Sequence, residues 1–177
     1  MQSLMPLKSF FGYEKTLVIT CHECLSKEEN NGQVFYYHSL GNMLRKADNL
    51  QQECVRYYLE AKGCSQIILA GHYDCHVINK ILENKEVQSS SKALQYNVDG
   101  LLLENVNNFS QPHIKNKMLI ELNVLEQVRL LMSYDFIFEK VNCGLLKVIG
   151  VVFDDGANSA REIFRNGIAF NSLIISN

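Results

Sequence analysis

The sequence has no surplus of positive charge. Lysine and arginine total 17 against 19 for aspartate and glutamate, a formal net charge of -2. The chain therefore lacks the electrostatic footprint with which proteins hold nucleic acid or an anionic membrane. Long apolar runs are lacking too. The stretch "LLKVIGVVF" is interrupted by Lys147 and falls well short of the roughly 20 residues that span a bilayer. The opening residues, "MQSLMPLKSFFGYEK", contain no apolar segment of the signal-peptide kind. These absences make a cytoplasmic protein the expectation, with neither nucleic acid nor membrane as partner. In such a reducing compartment the six cysteines are read as thiols or metal ligands rather than disulfides.

A chain of 177 residues, 47% of them hydrophobic, can bury the core of one domain, and a single domain over 1–177 is expected. Four short runs rich in β-branched or aromatic residues read as buried strands: "TLVIT" (16–20), "QVFYY" (33–37), "QIILA" (66–70) and "LLKVIGVVF" (145–153). Helical spacing lies between them. In "NLQQECVRYYLEAKGC" it is set by Leu50, Cys54, Tyr57 or Tyr58, and Ala61, with Asn49 as the expected cap and Gly63 as the stop. "HVINKILENK" places Val77, Ile78, Ile81 and Leu82 on one face. "NVLEQVRLLM" has Asn123 and Glu126 at capping-box spacing and Leu125, Val128 and Met132 turned inward. Strands alternating with helices predict an α/β fold with a mainly parallel β-sheet flanked by helices. "EVQSSSKALQYN" reads as a loop or solvated helix edge, and "IAFNSLIISN" as an edge strand or packed tail.

In open α/β sheets functional groups collect at the carboxyl ends of strands. "TLVIT" runs directly into Cys21, His22, Glu23 and Cys24, and "QIILA" into "GHYDC", with His72 and Cys75. If the two strands are neighbours, thiolates and an imidazole meet, which is the donor set zinc favours. Cys75 would also open a helix, whose N-terminal dipole favours thiolate. The spacing alone leaves several readings open. Cys21, His72 and Cys75 are ligands or else two buried thiols and a core histidine. Cys21-x-x-Cys24 with His72-x-x-Cys75 is a closed set of three cysteines and one histidine, or Cys21 and Cys24 form a redox dithiol.

These residues carry a family resemblance. The β-class carbonic anhydrases have Cys-x-Asp-x-Arg after the first strand and His-x-x-Cys after a later one. This chain resembles them with Cys21-His22-Glu23-Cys24-Leu25 and His72-Tyr73-Asp74-Cys75. "GQVFYYHSLGN", with Gly32 and Asn42, is similar to the second strand and the loop after it. "VRYYLEAKGCSQIILAGHYDC" is similar to the helix, strand and ligand pair, and "NVLEQVRLLM" with "GLLKVIGVVFDDG" to the later helix and final strand. The likeness spans roughly residues 16 to 156. It implies a β-carbonic-anhydrase-like fold, Zn2+ held by Cys21, His72 and Cys75, reversible hydration of CO2 to bicarbonate, and a homodimer or dimer of dimers.

The departures are also specific. In the family the motif's Asp is held off the metal by the motif's Arg. Here those positions are Glu23 and Leu25, and leucine cannot hydrogen-bond a carboxylate. Glu23 is therefore the candidate fourth ligand, with Cys24 as the alternative, and the hydration reaction is expected to be weak, altered or lost. The active enzyme, with water on zinc, and a non-catalytic zinc-stabilised scaffold are the other two readings. His22, His38 and His76 are candidates to line the cleft. Cys54, Cys64 and Cys143 are expected as small core hydrophobes, and Gly41 and Asn42 as a tight turn near the site.

Overall fold

The computed structural model describes residues 7–23, 32–45, 48–83, 112–154 and 159–169. Six strands form one sheet: β1 (Thr16–Cys21), β2 (Val34–Ser39), β3 (Gln66–His72), β4 (Lys147–Asp154), β5 (Ser159–Arg165) and β6 (Ile168–Ala169), in the order β2-β1-β3-β4-β5-β6. The first four run parallel, β5 pairs antiparallel with β4, and β6 antiparallel with β5. Every residue of β1 and β3 is buried, as expected for parallel strands covered on both faces. That is why β1 and β3 read as continuous apolar runs; β2, at the sheet edge, is half-buried and reads as a strand by its aromatic residues. β5, "SAREIFR", was not legible as a strand, because its charged residues break such a run and β6 is only two residues long.

Among the described residues the α-helices are α1 (Asn49–Glu60), α2 (His76–Glu83), α3 (Pro112–Met132) and α4 (Asp135–Asn142). Val55 and Leu59 of α1, Ile78 of α2, Leu119 and Val128 of α3 and Ile137 of α4 share one core with Leu17, Ile19, Ile67 and Leu69 of the sheet. On the opposite face Val18, Ile68, Ile149 and Val151 pack with Phe10, Phe11 and Tyr36. α3 lies close on the sheet because two strand positions carry no side chain. A Cβ on Gly71 would come within 2.5 Å of Val124 Cγ2, and one on Gly150 within 3.2 Å of Val124 Cγ1 and 3.3 Å of Val128 Cγ2.

Several local expectations are corrected. Asp48, not Asn49, caps α1, its carboxylate accepting from the Gln51 N–H at 3.1 Å. The buried stripe of α1 is Val55 and Leu59, whereas Leu50 and Tyr57 are exposed, so the helix rests on a narrower edge than its apolar spacing suggested. Asn123 is an interior residue of the long helix α3 and not its cap. Its burial serves a different purpose, described below. Cys64 is buried as expected, Cys54 half-buried, and Cys143 exposed, because Cys143 follows the last turn of α4. "EVQSSSKALQYN" and residues 170–177 lie outside the described residues.

Candidate metal centre

β1 and β3 are parallel neighbours, with Thr20 opposite Ala70, so their carboxyl ends deliver Cys21 and His72 side by side. Cys75 follows on the turn into α2. Ligand atoms of Cys21, Glu23, His72 and Cys75 all lie within 4.8 Å of one another. The two cysteines and the histidine are buried, and Glu23 is exposed. Of the candidate site residues, these four are brought together. Cys24 and Leu25 lie outside the described residues. His22 is exposed, with its ring edge-on to His38 at 6.2 Å, and His76 is exposed at the start of α2.

The donor chemistry fits a divalent cation. Cys75 Sγ donates to Cys21 Sγ at 3.7 Å, so two buried sulfurs face each other at hydrogen-bond distance. That shared hydrogen bond, then burial, then the neighbouring sulfur's charge push the Cys75 thiol up from its ordinary pKa. The backbone N–H groups of Ile78 and Val77, at the start of α2, pull it the other way, as a helix N-terminus does. His72 is 6% exposed, and its Nε2 has no hydrogen-bond partner. Buried polar atoms are seldom left so. A cation binding both sulfurs as thiolates and the free Nε2 would resolve both features.

The ligands are held from two sides. After β2 the chain makes a single turn at Leu40–Asn42, with Gly41 and Asn42 both at φ 63°. Glycine and asparagine enter this left-handed region with least strain. The turn aims the Gly41 N–H at Cys21 Sγ, 3.3 Å away. Asn42 Nδ2 donates to the Ala70 carbonyl at 2.7 Å, and Asn123 Nδ2 of α3 donates to the Gly41 carbonyl at 2.8 Å. Gln127 accepts from the Leu44 N–H at 2.8 Å. On the other side the His72 ring stacks on Phe153 at 5.8 Å, and the Tyr73 N–H donates to the Phe153 carbonyl at 3.1 Å. The Tyr73 hydroxyl donates to Glu121 Oε1 at 2.8 Å and accepts from Arg161 at 2.9 Å, and Arg161 pairs with Glu121. Glu121 is fully buried.

Asn123, Gln127, Glu121 and Arg161 were missed as site residues. The signal was present in "MLIELNVLEQVRLLM", where Glu121, Asn123 and Gln127 interrupt an otherwise apolar face. Asn123 reads as a cap by its spacing to Glu126, and a polar residue on a helix shows no buried partner in its sequence.

Comparison with protein-family models matches residues 17–158 to the family described as Carbonic anhydrase. Comparison with curated proteins finds no match. Among solved structures the fold is similar to the β-carbonic anhydrase CafD of the filamentous fungus Aspergillus fumigatus. That likeness has a TM-score of 0.73 and 22% identity, covering 92% of this chain and 100% of that one. A tetrameric β-carbonic anhydrase of Sordaria macrospora gives a TM-score of 0.77 and 18% identity, covering 89% and 85%. The Coccomyxa β-carbonic anhydrase in complex with acetazolamide gives 0.74 and 20%, covering 91% and 78%. With the match running through both strands that end at the thiols and the histidine, the chain belongs to the carbonic anhydrase family and has the fold of its β class.

Proposed function

We propose that the protein binds one zinc ion per chain through Cys21, His72 and Cys75 and catalyses the reversible hydration of CO2 to bicarbonate. The observation that carries this reading is the unpartnered Nε2 of buried His72 beside two buried sulfurs in hydrogen-bond contact. When bound, zinc supplies the Lewis acidity that makes water a nucleophile near neutral pH.

The chain's own residues set the conditions for that chemistry. Cys21 and Cys75 give up protons on loading, helped at Cys75 by the Val77 and Ile78 amides and at Cys21 by the Gly41 N–H. Stacking on Phe153 fixes the plane of the His72 ring. CO2 and water yield bicarbonate and one proton, and Glu23 and His22 are exposed to solvent beside the ligands.

Metal analysis of purified protein should find about one zinc per chain, and Cys75→Ser should abolish most of it, since each structural ligand is part of a four-coordinate set. Unchanged zinc in that variant would remove Cys75 from the site. A second reading has support in the Glu23 carboxylate oxygen that lies within 4.8 Å of the other ligand atoms. In it Glu23 is the fourth ligand, hydration is weak or lost, and the metal serves the fold. Stopped-flow CO2 hydration on zinc-loaded protein separates the two.

We also read the protein as one domain over 1–177, cytoplasmic, and a homodimer or dimer of dimers. Among the described residues no helix is long and apolar enough to cross a membrane. The exposed apolar side chains of Leu40, Leu50 and Tyr57 and the tetrameric Sordaria relatives support association. A monomeric mass near 20.2 kDa by light scattering would refute it.

A further inference from the structure

The sequence suggested that Glu23 has no restraint, since Leu25 cannot hold a carboxylate. The structure supplies one from elsewhere. Glu23 Oε2 accepts a hydrogen bond from the backbone N–H of Val77 at 3.2 Å. Val77 lies in the first turn of α2, where amide groups have no partner inside the helix and the macrodipole favours negative charge. The carboxylate therefore stands between two attractions, the helix terminus that it touches and the set formed by Cys21, His72 and Cys75, whose free His72 Nε2 marks the place of a cation.

We propose that the N-terminus of α2 is a latch for Glu23. It holds the carboxylate off the metal and so keeps the fourth coordination position open to water and substrate. Glu23 and the Val77 amide are thus positioning groups, acting through geometry rather than on the reacting atoms. This rests on the zinc reading above. A backbone amide suits the task because every residue but proline supplies it, and its position is fixed by the helix that follows Cys75. The exposure of Glu23 lets it swing on the solvent side without repacking the core.

The test is zinc affinity, measured by competition with a chelator, across a double-mutant cycle. Val77→Pro removes the N–H at a place where the first helical turn tolerates proline, and Val77→Ala is the control that keeps it. Because the Val77 amide also favours the Cys75 thiolate, the effect is read as a difference. Val77→Pro should raise zinc affinity about tenfold more with Glu23 intact than in the Glu23→Gln protein, since the released carboxylate becomes a ligand. Glu23→Gln alone should leave affinity within about twofold, because a latched carboxylate contributes no metal bond.

The latch is overturned if Glu23→Gln alone costs about tenfold or more in zinc affinity, which would make Glu23 a resident ligand. It is also overturned if the cycle is additive. The Glu23→Gln measurement stands even if Val77→Pro does not fold. Wild-type protein that takes up no zinc overturns the metal reading itself, and the latch with it, which is a different result from either of the others.

Discussion

The strands β1 and β3 are joined at both ends by polar residues, and the two ends differ in kind. At the amino end Gln66 Nε2 donates to Thr16 Oγ1 at 3.1 Å and to the Phe10 carbonyl at 2.8 Å, while Thr16 Oγ1 reaches the Glu14 carbonyl at 3.0 Å. Neither side chain has a buried polar atom left without a partner. At the carboxyl end the His72 Nε2 and the Asn42 Oδ1 have none, one buried thiol donates to another, and two consecutive residues sit at positive φ. Local consistency marks the structural end, and unpartnered polar groups beside a left-handed turn mark the working end. Around the working end the support is itself of two kinds, neutral amides on the β2 side and an ion pair on the β4 side.

The largest effect is expected where charge is buried. Arg161→Ala leaves the fully buried Glu121 carboxylate without its guanidinium, a change of the class that costs about 3 to 5 kcal/mol. With 23% of the Arg161 side chain exposed, the lower end, about 3 kcal/mol, is expected in chemical denaturation. Arg161→Lys keeps the charge and should lose clearly less. Equal losses in the two variants would mean that packing, and not charge, holds Tyr73.

Asn123→Ala tests the neutral side. It strands the buried Gly41 carbonyl, with an expected loss of about 1 to 2 kcal/mol. It also loosens the turn whose amide meets Cys21, so zinc affinity should fall about tenfold or more, in the range seen when outer partners of metal ligands are removed. A stability loss with unchanged zinc affinity would show that the turn is held without Asn123.

This division also accounts for what could be read from the sequence. The central parallel strands were legible because burial on both faces leaves uninterrupted apolar runs, and the ligands because they sit directly where two such runs end. Cys21, His72, Cys75 and Glu23 needed only that β1 and β3 be neighbours. The supporting residues were not legible, because Asn123 and Gln127 lie some 80 residues from the groups they bond, Gly41 and Leu44, and a polar residue on a helix reads as solvated until a partner is known. Nor was the Val77 amide, since a backbone donor has no signature in residue type. β5 was lost because a half-buried antiparallel strand with Arg161, Glu162 and Arg165 does not form an apolar run.

The smallest expected effect belongs to the amino end, where a buried thiol has no metal set around it. Cys64 lies just before β3 as Cys75 lies just after it. Burial pushes the Cys64 thiol up from 9.0 to about 11, against a weaker opposite pull from Lys15. A pKa raised in the folded state means that folding favours the neutral thiol, so its contribution to stability is complete below pH 9.0 and is lost as pH climbs towards about 11. Denaturation of the wild-type protein should therefore become easier across that window, and Cys64→Ala, which removes the titrating group and little volume, should flatten part of the decline. At pH 7 the variant should bind zinc like the wild type, because Cys64 is at the far end of the strand from His72. A Cys64→Ala protein whose stability falls as steeply between pH 9 and 11 as the wild type's would show that other groups, such as buried tyrosines, carry the alkaline loss. A Cys64→Ala protein with weakened zinc binding would break the separation of the two strand ends.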